Sequence, residues 1–197
     1  MAHPALALVE FDSIAVGIEA GDAMVKRAPL GVINSGTVQP GKYLVLIAGD
    51  VASVEESLAA GLALGGDAVI DTVFLPDIHP DVVAAIRGGR RFESGEALGI
   101  IETRTVAAII EAADAAVKGA TVTAAQIQMA DGLGGKGYAL FGGILSEVEA
   151  AVAAGIGALT ARQLVAGVVI AQLHEEMRDD VIATPFFQER VQGGGGR

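Results

Sequence analysis

A glycine-rich loop, three histidines and a set of paired carboxylates are where chemistry would have to sit in this chain. The loop is GLGGKG, Gly132–Gly137. A phosphate loop of the form G-x-x-x-x-G-K-[ST] needs glycine at 130 and serine or threonine at 137, where the chain has Ala130 and Gly137. The loop also joins two strands instead of opening a helix, so it reads as a backbone-lined surface loop. His3, His79 and His174 have no H-x-x-x-H or similar spacing and outline no metal site. His79 and His174 each stand at the start of a short helix, which suits capping. Glu10 and Glu102, and Glu19 and Glu111, are carboxylates at matching positions. A catalytic acid and base need two unlike environments. These recur in like ones, which favours solvated faces or pairing at subunit contacts. With no cysteine, thiolate catalysis, disulfides and cysteine-held clusters are excluded. No G-x-S-x-G elbow is present. The sequence offers no catalytic residue, metal ligand set or cofactor site.

The matching positions have one cause. Glu10–Lys26, EFDSIAVGIEAGDAMVK, aligns with Glu102–Lys118, ETRTVAAIIEAADAAVK. Glu10, Ala15, Ile18, Glu19, Ala20, Asp22, Ala23, Val25 and Lys26 are identical in the two stretches, where about two matches would arise by chance. The chain is an internal duplication of a domain-sized unit. This predicts a first domain over 1–90, a second over 91–185 and a flexible tail over 186–197. The polar segment Gly88–Glu96, GGRRFESGE, is the expected linker.

Each copy then has to position its residues in the same way. Ala5–Val9 reads as a strand, and Ile14–Arg27 as a helix with Ser13 as its N-cap. Leu30–Val38 and Tyr43–Ala48 are strands joined by a Pro-Gly turn. A helix follows from Asp50 to the Gly65-Gly66 stop, then a strand over Ala68–Leu75. Pro80–Ile86 is a short helix with Pro at its first position. The second copy repeats the order: strand 97–101, helix 106–118, strands 122–130 and 138–141, helix 146–159, strand 163–171 and short helix 175–181. The order β-α-β-β-α-β predicts an α+β, ferredoxin-like sandwich, twice in tandem. Several strands are apolar on both faces, and helices can cover only one, so a neighbouring subunit is the expected cover for the other.

Composition narrows the class further. Hydrophobic residues make up 52% and aromatics 4%, so the cores are built from Ala, Val, Leu and Ile. Units of this size with thin side chains are marginal alone and should pack on each other or on other chains. A net charge of −11 argues against a nucleic-acid partner. The N-terminus has no basic segment before a long apolar core, and no apolar run approaches membrane-spanning length. A soluble cytoplasmic protein is expected.

The stretches LALVEFDSIAVGIEAGDAMVK (6–26), ALGIIETRTVAAIIEAADAAVK (97–118), GDVASVEESLAAG (49–61) and LPDIHP (75–80), with the hairpins before Lys42 and Lys136, resemble bacterial microcompartment shell proteins. The chain is most similar to the tandem, two-domain class, of propanediol and ethanolamine type. That resemblance implies a homotrimer that imitates a hexagonal tile, joins other shell proteins edge to edge, encloses enzymes and passes small polar metabolites. It places Lys26 and Lys118 at the tile edge. It places Gln39, Pro40 and Gly41, and Gly132, Leu133, Gly134 and Gly135, around a central pore. Two departures stand out. Many relatives have Pro-Arg-Pro-His before the short helix, where this chain has Pro76-Asp77-Ile78-His79 and Ala171-Gln172-Leu173-His174. Some relatives hold an iron–sulfur cluster through a loop cysteine at the place of Gln39, which cannot ligate one. The competing reading is a trimeric small-molecule sensor with ferredoxin-like domains.

Overall fold

The computed structural model describes residues 5–88 and 97–183. His3, the expected linker beyond Gly88 and the expected tail lie outside the described residues. The first copy runs β1 (Ala5–Phe11), α1 (Ile14–Arg27), β2 (Val32–Val38), β3 (Lys42–Gly49), α2 (Val51–Gly65), β4 (Val69–Leu75) and α3 (Pro80–Ile86). The second runs β5 (Ala97–Thr103), α4 (Val106–Gly119), β6 (Thr123–Met129), β7 (Gly137–Gly143), α5 (Leu145–Gly157), β8 (Leu164–Ile170) and α6 (Glu175–Ala183). Each copy forms a four-stranded antiparallel sheet, ordered β2-β3-β1-β4 and β6-β7-β5-β8. This is the ferredoxin-like order in α+β form, and it occurs twice.

Local chemistry sets the helix ends. The Ser13 hydroxyl accepts from the Val16 N–H, Thr105 from Ala108 and the Asp50 carboxylate from Ser53. Each cap satisfies a backbone donor that the first turn leaves unpaired. His79 caps α3 through Nδ1, which accepts from the Asp81 N–H at 3.2 Å. His174 does the same for Glu176 at 3.4 Å. The two histidines are caps, as the duplication suggested.

β1 is buried along its whole length. Ala5, Ala7, Val9 and Phe11 pack with Ala20 and Met24 of α1 and Val54 and Leu58 of α2. Leu6 and Leu8, on the other face, join a second core with Val82 and Ala85 of α3, α4 residues Val106 and Ile110, and Ile127 of β6. The cover for the second face of the first sheet is thus its own short helix together with the other copy.

The copies exchange volume at one position. A Cβ on Gly17 would meet the Tyr43 ring 2.7 Å away, while a Cβ on Gly137 would meet Ile109 at 2.4 Å. Gly17 aligns with Ile109, and Tyr43 with Gly137. The same space is filled from the strand in one copy and from the helix in the other, which keeps density constant.

Candidate functional site: the junction of the two copies and its hairpins

The copies meet along α4. At its N-terminus lies Glu10, fully buried in β1. Its Oε1 accepts from the Ala107 N–H at 2.8 Å, and its Oε2 from Lys42 Nζ at 3.1 Å. A carboxylate there meets unpaired N–H groups and the positive end of the helix dipole. Burial nevertheless dominates, and the Glu10 pKa is raised above its ordinary value despite the Ala107 N–H and Lys42. Glu10 is therefore a buried link between the copies, not part of a solvated face.

Beside it, Asp71 of β4 accepts from the Thr105 hydroxyl at 2.5 Å and from Gln163 Nε2 at 3.1 Å. Glu111, one helical turn further into α4, has its pKa raised by burial and by the charge of Asp71. At the other end of the helix, Asp114 accepts from the His79 N–H at 2.7 Å and pairs with Lys118 at 2.7 Å. Lys118 also donates to the Asp77 carbonyl. Hydrogen bonds at both ends of α4 thus bracket the apolar seam of Val106, Ile110 and Val117.

The duplication supplies equivalents of the apolar seam and of several of these polar groups, and most of those equivalents are unmet. Val106 and Ile110 are fully buried and Val117 is 8% exposed, whereas Ile14, Ile18 and Val25 of α1 are 39%, 53% and 42% exposed. β6 is largely buried, and its counterpart β2 is mostly exposed. Val73 of β4 is covered, and its counterpart Val168 of β8 is 45% exposed. Glu102 repeats the lysine pairing, to Lys136 at 2.8 Å, but among the described residues it caps no helix. Asp22 and Lys26 pair at 2.5 Å on the exposed end of α1, and among the described residues no group of the second copy joins them. Lys26 and Lys118 therefore stand in unlike surroundings.

The two hairpins converge. In the first, Gln39–Pro40 is a cis peptide, Gly41 has φ 100° and the Gly41 N–H bonds to the Val38 carbonyl at 2.9 Å. In the second, the Ala130 N–H bonds to the Lys136 carbonyl at 2.9 Å, and Gly132, Gly134 and Gly135 all have positive φ. A Cβ on Gly135 would lie 3.0 Å from the Gln39 carbonyl oxygen and 3.2 Å from Pro40. Only glycine lets the two loops touch while holding that backbone. Among the described residues no cluster of His, Asp or Glu is arranged to hold a metal ion.

Sequence reasoning did not single out Asp71, Thr105 or Gln163, and it gave Asp77 no role in the junction. Thr105 was visible as the counterpart of the Ser13 cap. Asp71 carried no signal, since its counterpart in β8 is Ala166 and its partners lie 34 and 92 residues away.

The description "BMC domain" fits this chain twice, over residues 5–78 and 97–173. The chain belongs to the BMC-domain family. It is 45% identical to the bacterial microcompartment shell protein PduT of Citrobacter freundii over 75% of this chain and 80% of that one. PduA of the same organism, also a bacterial microcompartment shell protein, is 33% identical over 42% of this chain and 90% of its own length, so one copy here spans nearly all of it. A crystal structure of a microcompartments protein from Desulfitobacterium hafniense superposes with a TM-score of 0.78 at 42% identity, over 90% of this chain and 99% of that one. A fused permuted hexameric shell protein shares the fold, with a TM-score of 0.59 at 22% identity over 81% of this chain and 82% of that one. This BMC-domain protein is a structural component of a microcompartment shell, a kind of protein that assembles with other shell proteins. These relatives give the sensor reading no support. No helix among the described residues is long and apolar enough to cross a membrane.

Proposed function

We propose that three copies of this chain close into a pseudohexagonal tile, two domains per chain, and that the tile passes small polar metabolites through a pore on its axis without catalysing a reaction. One observation carries the reading. The junction between the first and second copies is complete inside the chain, while the same junction between the second copy and another first copy is present only as two unmet halves. One half is the exposed α1 face with Ile14, Ile18 and Val25. The other is Glu102, without a helix to cap among the described residues, beside the exposed β8. A second chain supplies the missing half in each direction. Ring closure leaves no apolar seam in water, which is the usual reason that exposed patches of this kind mark an interface.

On this reading the domains run 1–90 and 91–185, with a tail beyond. Gln39, Pro40 and Gly41 alternate with Gly132, Leu133, Gly134 and Gly135 around the axis, and the contact of Gly135 with Gln39 and Pro40 supports a shared location for them. Selection is by width and by backbone and amide polarity. Lys26 and Lys118 serve the outer edge, where tiles meet other shell proteins around enclosed enzymes. Light scattering tests the assembly directly. A particle of three times 19.9 kDa is expected, and a monomer at micromolar concentration would overturn the proposal.

A further inference from the structure

We infer that each chain carries a binding site for a small dianionic oxyanion, such as a phosphate group, in the cleft where Arg104 and Arg162 face the junction of the two copies. The cleft is about 590 Å³ in volume and open to solvent, and Lys42, Asp71, Arg104, Thr105, Arg162 and Gln163 line it. Three of these are cations and one is a carboxylate, in a chain whose net charge is −11.

The carboxylate does not claim the arginines. Asp71 is satisfied by the Thr105 hydroxyl and the Gln163 amide, and Lys42 is paired with Glu10. Among the described residues neither the Arg104 nor the Arg162 side chain has a hydrogen bond or an ion pair. Two guanidinium groups are left with their donors unused, and a planar fork of N–H donors matches a doubly charged oxyanion.

The duplication acts as an internal control. The Arg104 N–H bonds to the Gln163 carbonyl at 2.8 Å, and the Asp12 N–H bonds to the Ala68 carbonyl at 2.9 Å. These bonds establish the correspondence of Arg104 with Asp12 and, one residue before Gln163 and Ala68, of Arg162 with Asp67. Where one copy has two arginines, the other has two aspartates on the same backbone. The fold does not need the arginines, so their place in the cleft calls for another reason. The site lies within a single chain and is independent of the trimer proposal. It predicts one anion per chain and none at the equivalent position in the first copy.

Calorimetric titration of the full chain with inorganic phosphate at low ionic strength tests this. Saturable binding of one phosphate per chain is expected, at least tenfold tighter than acetate. The variant Arg104→Asp/Arg162→Asp, which installs the first copy's residues, should keep the parent's assembly mass and lose phosphate affinity by at least tenfold. Should that variant fail to fold, Arg162→Gln, a change at one exposed side chain, should still weaken phosphate severalfold. No saturable heat in the parent, acetate bound as tightly as phosphate, or arginine variants that bind phosphate as the parent does, would each overturn the inference.

Discussion

Ile18 and Ile110 occupy the same position in the two copies, yet Ile18 is 53% exposed and Ile110 is fully buried. The difference lies in what covers them, since α4 rests on the first copy and α1 rests on no second chain. Ile18→Glu should therefore leave the chain folded and block assembly, because a charge would have to enter an apolar seam unpaired. Light scattering should fall from three times 19.9 kDa toward 19.9 kDa, with an unchanged far-UV spectrum. Ile110→Glu should instead unfold the chain, at a cost of about 4 kcal/mol or more. If Ile18→Glu assembles as the parent does, α1 is not the docking face.

Much of this organisation was legible in the residues because it is local. The bounds of α1 and α3 follow from the Ser13 cap, the terminal Lys26-Arg27 and the Pro at 80, and the structure has the same helices. The duplication itself is a comparison of the chain with itself and needs no coordinates. Strand ends were less clear: β5 extends to Thr103 and β7 begins at Gly137, because pairing with neighbours decides them, not residue type. The junction was the least legible part. Glu10 to Ala107 spans 97 residues, and a buried glutamate looks in sequence like any exposed one.

Glu10 should give the protein a recognisable pH dependence. Its pKa is raised above 4.5 by burial, so the folded chain holds the proton more tightly than the unfolded chain does. That contribution to stability is whole below pH 4.5 and is lost as pH climbs through the raised folded value. A glutamine in its place would keep an acceptor for the Ala107 N–H without titrating. Thermal melts of parent and Glu10→Gln, from about pH 4 to about pH 7, should show the parent's melting temperature falling relative to the variant's as pH rises. A constant gap, or one that moves in the parent's favour, would show that Glu10 is not desolvated as described.

Lys26 and Lys118 should separate on mutation. Among the described residues Lys26 reaches only Asp22 on its own helix, a pairing of exposed groups. Lys26→Ala should cost less than about 0.5 kcal/mol of stability and act on tiling alone, seen as fewer or smaller sheets by electron microscopy. Lys118 ties the first copy through the Asp77 carbonyl and neutralises Asp114, which is 4% exposed and also holds the His79 N–H. Lys118→Ala should weaken tiling too and, in addition, lower stability by about 1.5 kcal/mol or more, because the variant loses the charged hydrogen bond to the Asp77 carbonyl and the partner of Asp114. Parent-like sheets from both variants would remove the edge assignment.

The hairpin contact makes the last prediction. Gly134 and Gly135 both have positive φ, 63° and 83°, but nothing lies within 4 Å of a Cβ at Gly134, while one at Gly135 meets the Gln39 carbonyl at 3.0 Å. Alanine at 134 incurs the left-handed backbone cost alone, about 1 kcal/mol. At 135 it incurs that cost and must also push the first hairpin away, since the Gln39 oxygen is backbone and cannot rotate aside. Gly135→Ala should therefore lower the melting temperature more than Gly134→Ala, by a margin worth about 1 kcal/mol. The displaced loop carries Gln39 and Pro40, so Gly135→Ala should also change passage of small solutes through assembled tiles in a conductance measurement, with Gly134→Ala close to the parent. Equal melting losses from the two variants would mean that the hairpins do not press on one another.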